Sequence, residues 1–166
     1  MKVLVPLDGS AAASGALSHL QALSQAGIPV QVLLLHVQLR FHRHVAQFSS
    51  RAARDALRAE RSRQALAPAM SALSRAGIPF LAMTASGPVA ERIAAVAARA
   101  RVDEIVMGVG RHPRWLRWLN PSIAQDVMQR TDIPVTVLAH GKVSRLERYA
   151  VPAGIAGLAA LLLTAD

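Results

Sequence analysis

The sequence predicts an α/β fold: an open five-stranded parallel sheet with helices on both faces, in a Rossmann-like three-layer arrangement. Three observations predict it. Short apolar runs alternate with segments of helical periodicity in the order βαβαβαβαβ, and such alternation favours parallel strands joined by right-handed crossovers. The octet Ala22-Leu23-Ser24-Gln25-Ala26-Gly27-Ile28-Pro29 returns as Ala72-Leu73-Ser74-Arg75-Ala76-Gly77-Ile78-Pro79. Each copy reads as a helix end, a tight turn and a strand start, with a weaker third echo in Asp132-Ile133-Pro134-Val135. Finally, 52% of residues are apolar but only 4% aromatic, which points to one aliphatic core.

Residues 2–7 form a short apolar run, the mark of a strand buried on both sides. Asp8-Gly9-Ser10 ends it, and Ser10 is suited to cap the helix that follows. Ala13, Ala16, Leu17, Leu20 and Leu23 recur at helical spacing, and Gly27 then Pro29 stop the helix. Residues 30–37 are the second strand. The loop at 38–48 carries Arg40, His42, Arg43 and His44. It reads as a solvated loop or as a basic or metal-binding patch, and no carboxylate completes a ligand set there. Residues 50–76 read as one long helix with Leu57, Leu66, Met70 and Leu73 inward and arginines outward, kinked or split at Pro68. A strand at 78–85 leads to Gly87-Pro88, with the proline in a helix's first turn. Val89, Ile93, Val96 and Ala97 form that helix's buried face, which ends near Arg101. Residues 105–108, 122–129 and 135–139 complete the pattern as strand, helix and strand.

Several classes of function are set aside by composition. With no cysteine there are no disulfides, thiol nucleophiles or cysteine-based metal sites. The first residues are too soon interrupted to resemble a signal peptide. His19, His36, His112 and His140 have no evident carboxylate or nucleophile partner, so no catalytic set is expected. The net charge of +9, almost all arginine, suits an anionic partner or simply a solvated basic surface.

The motifs Val3-Leu4-Val5-Pro6-Leu7-Asp8-Gly9-Ser10, Leu34-Leu35-His36-Val37, Ile105-Val106-Met107-Gly108 and Ser122-Ile123-Ala124, followed by Ile133-Pro134-Val135, resemble the universal stress protein family in order and spacing. The resemblance covers residues 1–141 and leaves 142–166 as a basic linker and apolar tail. It implies a sheet of adenine-nucleotide-hydrolase type and a homodimer paired through the last strand, Val135 to Ala139. It also implies a site for ATP or another adenine nucleotide. Asp8 would hold the adenine or ribose side with Pro6 and Leu7 beside it, and Val37 would contact the base through its backbone. Met107 and Gly108 would line the pocket, while Ser122 and Ile123 would meet the phosphates.

The family's ATP-binding branch carries Gly, two residues, Gly, nine residues, Gly, then Ser or Thr. Here Gly108 and Ser122 keep that spacing, but Arg111 and Pro121 stand where the second and third glycines belong. Proline lacks an N–H, and arginine brings a side chain where the backbone should approach phosphate. Arg111, Arg114 and Arg117 could answer with bidentate phosphate contacts. Trp115 and Trp118 lie among these arginines, as packing residues or as a surface for membrane or partner. Residues 149–165 run without a charge behind Lys142, Arg145 and Arg148, so they read as a membrane anchor, a helix packed on protein, or a partly ordered tail.

The expectation is a cytoplasmic, non-enzymatic stress-response module with weak or altered adenine-nucleotide binding and no specific nucleic-acid partner. Two alternatives stand beside it: an ATP-dependent switch, and an adaptor anchored by its tail to the cytoplasmic face of the inner membrane.

Overall fold

The computed structural model describes residues 1–10, 13–38, 51–109 and 123–139. Its strands are β1 (Lys2–Leu7), β2 (Gln31–Gln38), β3 (Phe80–Ser86), β4 (Glu104–Val109) and β5 (Val135–Ala139). Its helices are α1 (Ala13–Gln25), α2 (Arg51–Arg75), α3 (Val89–Ala100) and α4 (Ile123–Met128). The strands form one sheet in the order β3-β2-β1-β4-β5, and every pairing is parallel. The three-layer α/β architecture expected from the alternating pattern is therefore present.

Each strand alternates its side chains between two cores. Val3, Val5, Leu7, Val32 and Leu34 face α1 and α2, where Leu20, Leu66 and Leu73 meet them. Leu4, Leu33, Leu35, Ile105 and Met107 face α3 and α4, against Ile93, Ala97 and Val127. β1, at the centre, is buried on both faces, which is why its sequence reads as a continuous apolar run.

The repeated octet is a repeated helix stop. Ile28 N–H donates to the Leu23 carbonyl at 3.1 Å, and Gly27 N–H to Ser24 at 3.0 Å. Ile78 and Gly77 repeat this with Leu73 and Ser74 at 3.0 and 3.1 Å. Both glycines have positive φ, +79° and +66°, as this cap requires. The third echo uses different chemistry: the Thr131 hydroxyl accepts from Ile133 N–H at 3.2 Å.

Several expectations are corrected. Pro68 lies inside α2 without splitting it: the helix runs unbroken from Arg51 to Arg75, with Pro68 exposed between the buried Leu66 and Ala69. Leu57 is 44% exposed instead of inward, since its turn of α2 contributes nothing to either core. The arginines of α2 are not uniformly outward: Arg54 and Arg58 are half-buried. Pro88 is the N-cap of α3 and not part of its first turn, and β3 begins at Phe80, two residues late, because Ile78 and Pro79 complete the preceding turn.

Candidate functional site

In an open parallel sheet a crevice forms outside the carboxyl ends of the strands, where the strand order reverses. That point here lies between β1 and β4. Asp8 follows β1, Gly108 lies near the end of β4, and Val37 lies near the end of β2.

Asp8 is held by the turn it begins. Its Oδ1 accepts from Ser10 N–H at 2.8 Å, and the Ser10 carbonyl accepts from Ala13 N–H at 3.4 Å as α1 begins. Partial burial raises the carboxyl pKa. Hydrogen bonds from the Ser10 side chain and backbone, with the nearby His36 ring, outweigh that effect and leave the pKa below the ordinary carboxylate value. Asp8 is thus an ionised, exposed acceptor at neutral pH.

Gly9, next along, has φ +83°, and a Cβ there would lie 3.3 Å from Ala65 of α2. Glycine both accepts the left-handed backbone and allows α2 to close over the turn.

The end of β2 supplies a second acceptor. The β1–β2 ladder ends at Leu7↔His36. The alternation of a parallel ladder turns the Val37 carbonyl towards β1, one rung beyond that end. It takes no hydrogen bond from the described residues. His36 Nδ1–H donates to the Leu7 carbonyl at 2.8 Å, which fixes the ring against β1 beside Asp8. Gln38 then fastens α2: its side-chain amide donates to the Arg58 carbonyl and to the Ser62 hydroxyl, each at 2.7 Å. Ser62 is buried, at 6% exposure.

The structure brings Asp8, Val37 and Gly108 to one end of the sheet. Pro6 is half-buried in β1, whereas the Leu7 side chain lies in the core under α1 and α2 and Met107 in the core under α3 and α4. Both side chains are therefore core residues, and neither is open to the crevice. Ile123 opens α4 and is 49% exposed. Arg111 and Ser122 lie outside the described residues, as do Pro121, Arg114, Arg117, both tryptophans, the loop histidines and residues 149–165. The sequence reading missed Gln38 and the arginines of α2. A signal for the latter was available in their spacing, Arg54, Arg58, Arg61 and Ala65 at i, i+4, i+7 and i+11.

A groove at the opposite, amino end of the sheet is lined by residues including Met1, Lys2, Pro29 and Asp103. Its polar groups already bind one another: the N-terminal ammonium donates to Pro29 at 2.7 Å and Lys2 N–H to Asp103 at 2.6 Å. The carboxyl end is the better candidate: the Asp8 carboxylate is exposed there, and the Val37 carbonyl has no donor among the described residues. Among the described residues no cluster of His, Asp and Glu could hold a metal ion, and no helix is long and apolar enough to cross a membrane.

The described arrangement is that of a three-layer α/β domain with an open parallel sheet. The family model for the universal stress protein family matches residues 1–139, and the chain belongs to that family. Among solved structures, the hypothetical protein MJ0577 is 26% identical with a TM-score of 0.66, covering 83% of this chain and 94% of that one. A universal stress protein from Burkholderia pseudomallei is 25% identical with a TM-score of 0.62, over 82% and 94%. A family protein from Arabidopsis thaliana with AMP bound shares the fold at 18% identity and a TM-score of 0.58, over 84% and 91%. No curated protein matches the chain.

Proposed function

We propose that this chain is a non-enzymatic stress-response module that binds an adenine nucleotide weakly at the carboxyl end of its sheet. The observation that carries the reading is the pair of acceptors there, the exposed Asp8 carboxylate and the Val37 carbonyl, which has no donor among the described residues. Two acceptors side by side suit the donors of a nucleoside, namely the exocyclic amine of adenine and the ribose hydroxyls. The AMP held by the Arabidopsis thaliana protein, which has the same fold, agrees with this chemistry. The replacement of two signature glycines by Arg111 and Pro121 argues for weak binding.

A homodimer through β5 is part of the same reading. β5 is an edge strand, and its outer side has no partner strand among the described residues.

Calorimetry with AMP tests the nucleotide reading. Binding should fall in the range of roughly 0.01–1 mM, about −7 to −4 kcal/mol. Asp8→Ala should weaken it at least about tenfold through the lost charge-assisted hydrogen bond. Unchanged affinity in that variant, or no heat at millimolar AMP, would contradict the proposal.

A further inference from the structure

We propose that the arginine flank of α2, built on Arg54, Arg58 and Arg61, binds the phosphate-bearing part of the ligand. The inference rests on the carboxyl-end site described above and gives that site a phosphate subsite made by a helix, in place of the glycine loop.

Two contacts fix how α2 lies over the site. Ala65 packs against Gly9, directly after Asp8. The turn at Arg58 and Ser62 is tied to Gln38, directly after Val37. The side of the helix that carries Ala65 therefore looks onto the turn that holds Asp8. At 100° per residue, Arg61, Arg58 and Arg54 return to Ala65's side within about 40°, 20° and 20°. They climb about 6, 10 and 16 Å along the axis from Ala65, beyond the level at which Gly9 touches the helix.

The inward stripe of α2 changes chemistry along its length. Leu73, Ala69, Leu66 and Ser62 are buried where the helix covers the sheet. Arg58 and Arg54 continue this side half-buried, and Arg61 is exposed. An ordinary amphipathic helix places arginines on the opposite face. Asp55 offsets part of the charge through an ion pair with Arg58 at 3.6 Å, while Glu60 is engaged by Arg63 at 2.7 Å and by Gln64. The flank keeps a net positive character beside two acceptors, and it is within reach of an anion attached to a nucleoside held by them. Guanidinium groups suit phosphate oxygens because their planar donors pair bidentately.

The test uses the full chain with four probes: adenosine, AMP, ATP and sodium tripolyphosphate. ATP should bind more tightly than adenosine, and raising salt should weaken ATP and tripolyphosphate but not adenosine. R54Q/R58Q should weaken ATP and tripolyphosphate at least tenfold and leave adenosine unchanged, while R54K/R58K should recover part of the loss. The Gln38 bond to the Arg58 carbonyl is retained in both variants, and thermal unfolding confirms that they fold. Tripolyphosphate should also shift arginine Nε–H resonances in the wild-type chain, a readout that needs no variant. Equal ATP and tripolyphosphate affinity in folded R54Q/R58Q, or no arginine shift at saturating tripolyphosphate, overturns the arginine subsite. Tripolyphosphate binding lost in R54Q/R58Q, with no binding of adenosine or AMP, sinks the adenine reading and leaves the subsite standing. Adenosine and AMP binding without any for tripolyphosphate does the reverse.

Discussion

On the proposed reading, Asp8 serves the fold and a ligand together. Its carboxylate closes the turn into α1 by accepting from Ser10, and it remains exposed at the mouth of the crevice. Because its pKa is lowered in the folded chain, its charge stabilises the fold above the unfolded carboxylate pKa of about 3.9. That contribution disappears as pH falls through the lower folded value. Asp8→Asn keeps an oxygen acceptor and removes the charge. Its melting temperature should therefore lie about 1–2 °C below wild type at pH 5–7, given roughly 0.5 kcal/mol for so exposed a group. The gap should close as pH drops below about 4, read from melting curves across pH 2–7. A gap that stays constant over that range would mean that the charge is not the cause. The sequence pointed to Asp8 through the resemblance of residues 3–10 to the family motif, and its place between strand and helix also suited a capping carboxylate. It did not point to Gln38, whose partners Arg58 and Ser62 are 20 and 24 residues away and whose neighbours in sequence reveal nothing of α2.

At the level of elements, helix ends were the most legible features. Gly27 and Gly77 mark the ends of α1 and α2 because their positive φ closes the same two carbonyl bonds each time. α3 ends with that geometry but without glycine. Arg101 takes φ +49° and ψ +56°, Val102 N–H donates to Ala97, and Arg101 N–H donates to Ala98. A side chain in this conformation costs about 1 kcal/mol relative to glycine. Arg101→Gly should therefore raise the stability of the chain by about 0.5–1 kcal/mol, measured by urea unfolding at pH 7. A destabilised variant would show that the Arg101 side chain supplies something the cap geometry does not. α2 was harder to read. Its apolar spacing gives a helix, but which arginines turn inward depends on where the helix passes the strand ends, and only the contacts of Ala65 and Gln38 determine that. Leu57 was misplaced for the same reason, since it satisfies the period on a stretch of helix that has no core beneath it.

For the whole molecule, the order of elements was readable because each βα unit is punctuated by glycine, proline or a capping residue. The sheet order β3-β2-β1-β4-β5 places two helices on each face and opens the crevice between β1 and β4. The family membership follows from residues 1–139 as a unit and not from one motif. The candidate site was only partly legible: Asp8, Val37 and Gly108 came from the family resemblance, while the arginines of α2 depend on tertiary placement. On the proposed reading, the carboxyl end of this sheet, and not the groove at its amino end, receives an adenine nucleotide. The direct measurement is a two-dimensional amide NMR titration of the full chain with AMP. Shifts should concentrate at Asp8, Gly9, Val37, Gln38 and Gly108, with Lys2, Gln31 and Asp103 at the other end unmoved. Shifts confined to Lys2, Gln31 and Asp103, or none at millimolar AMP, would contradict it.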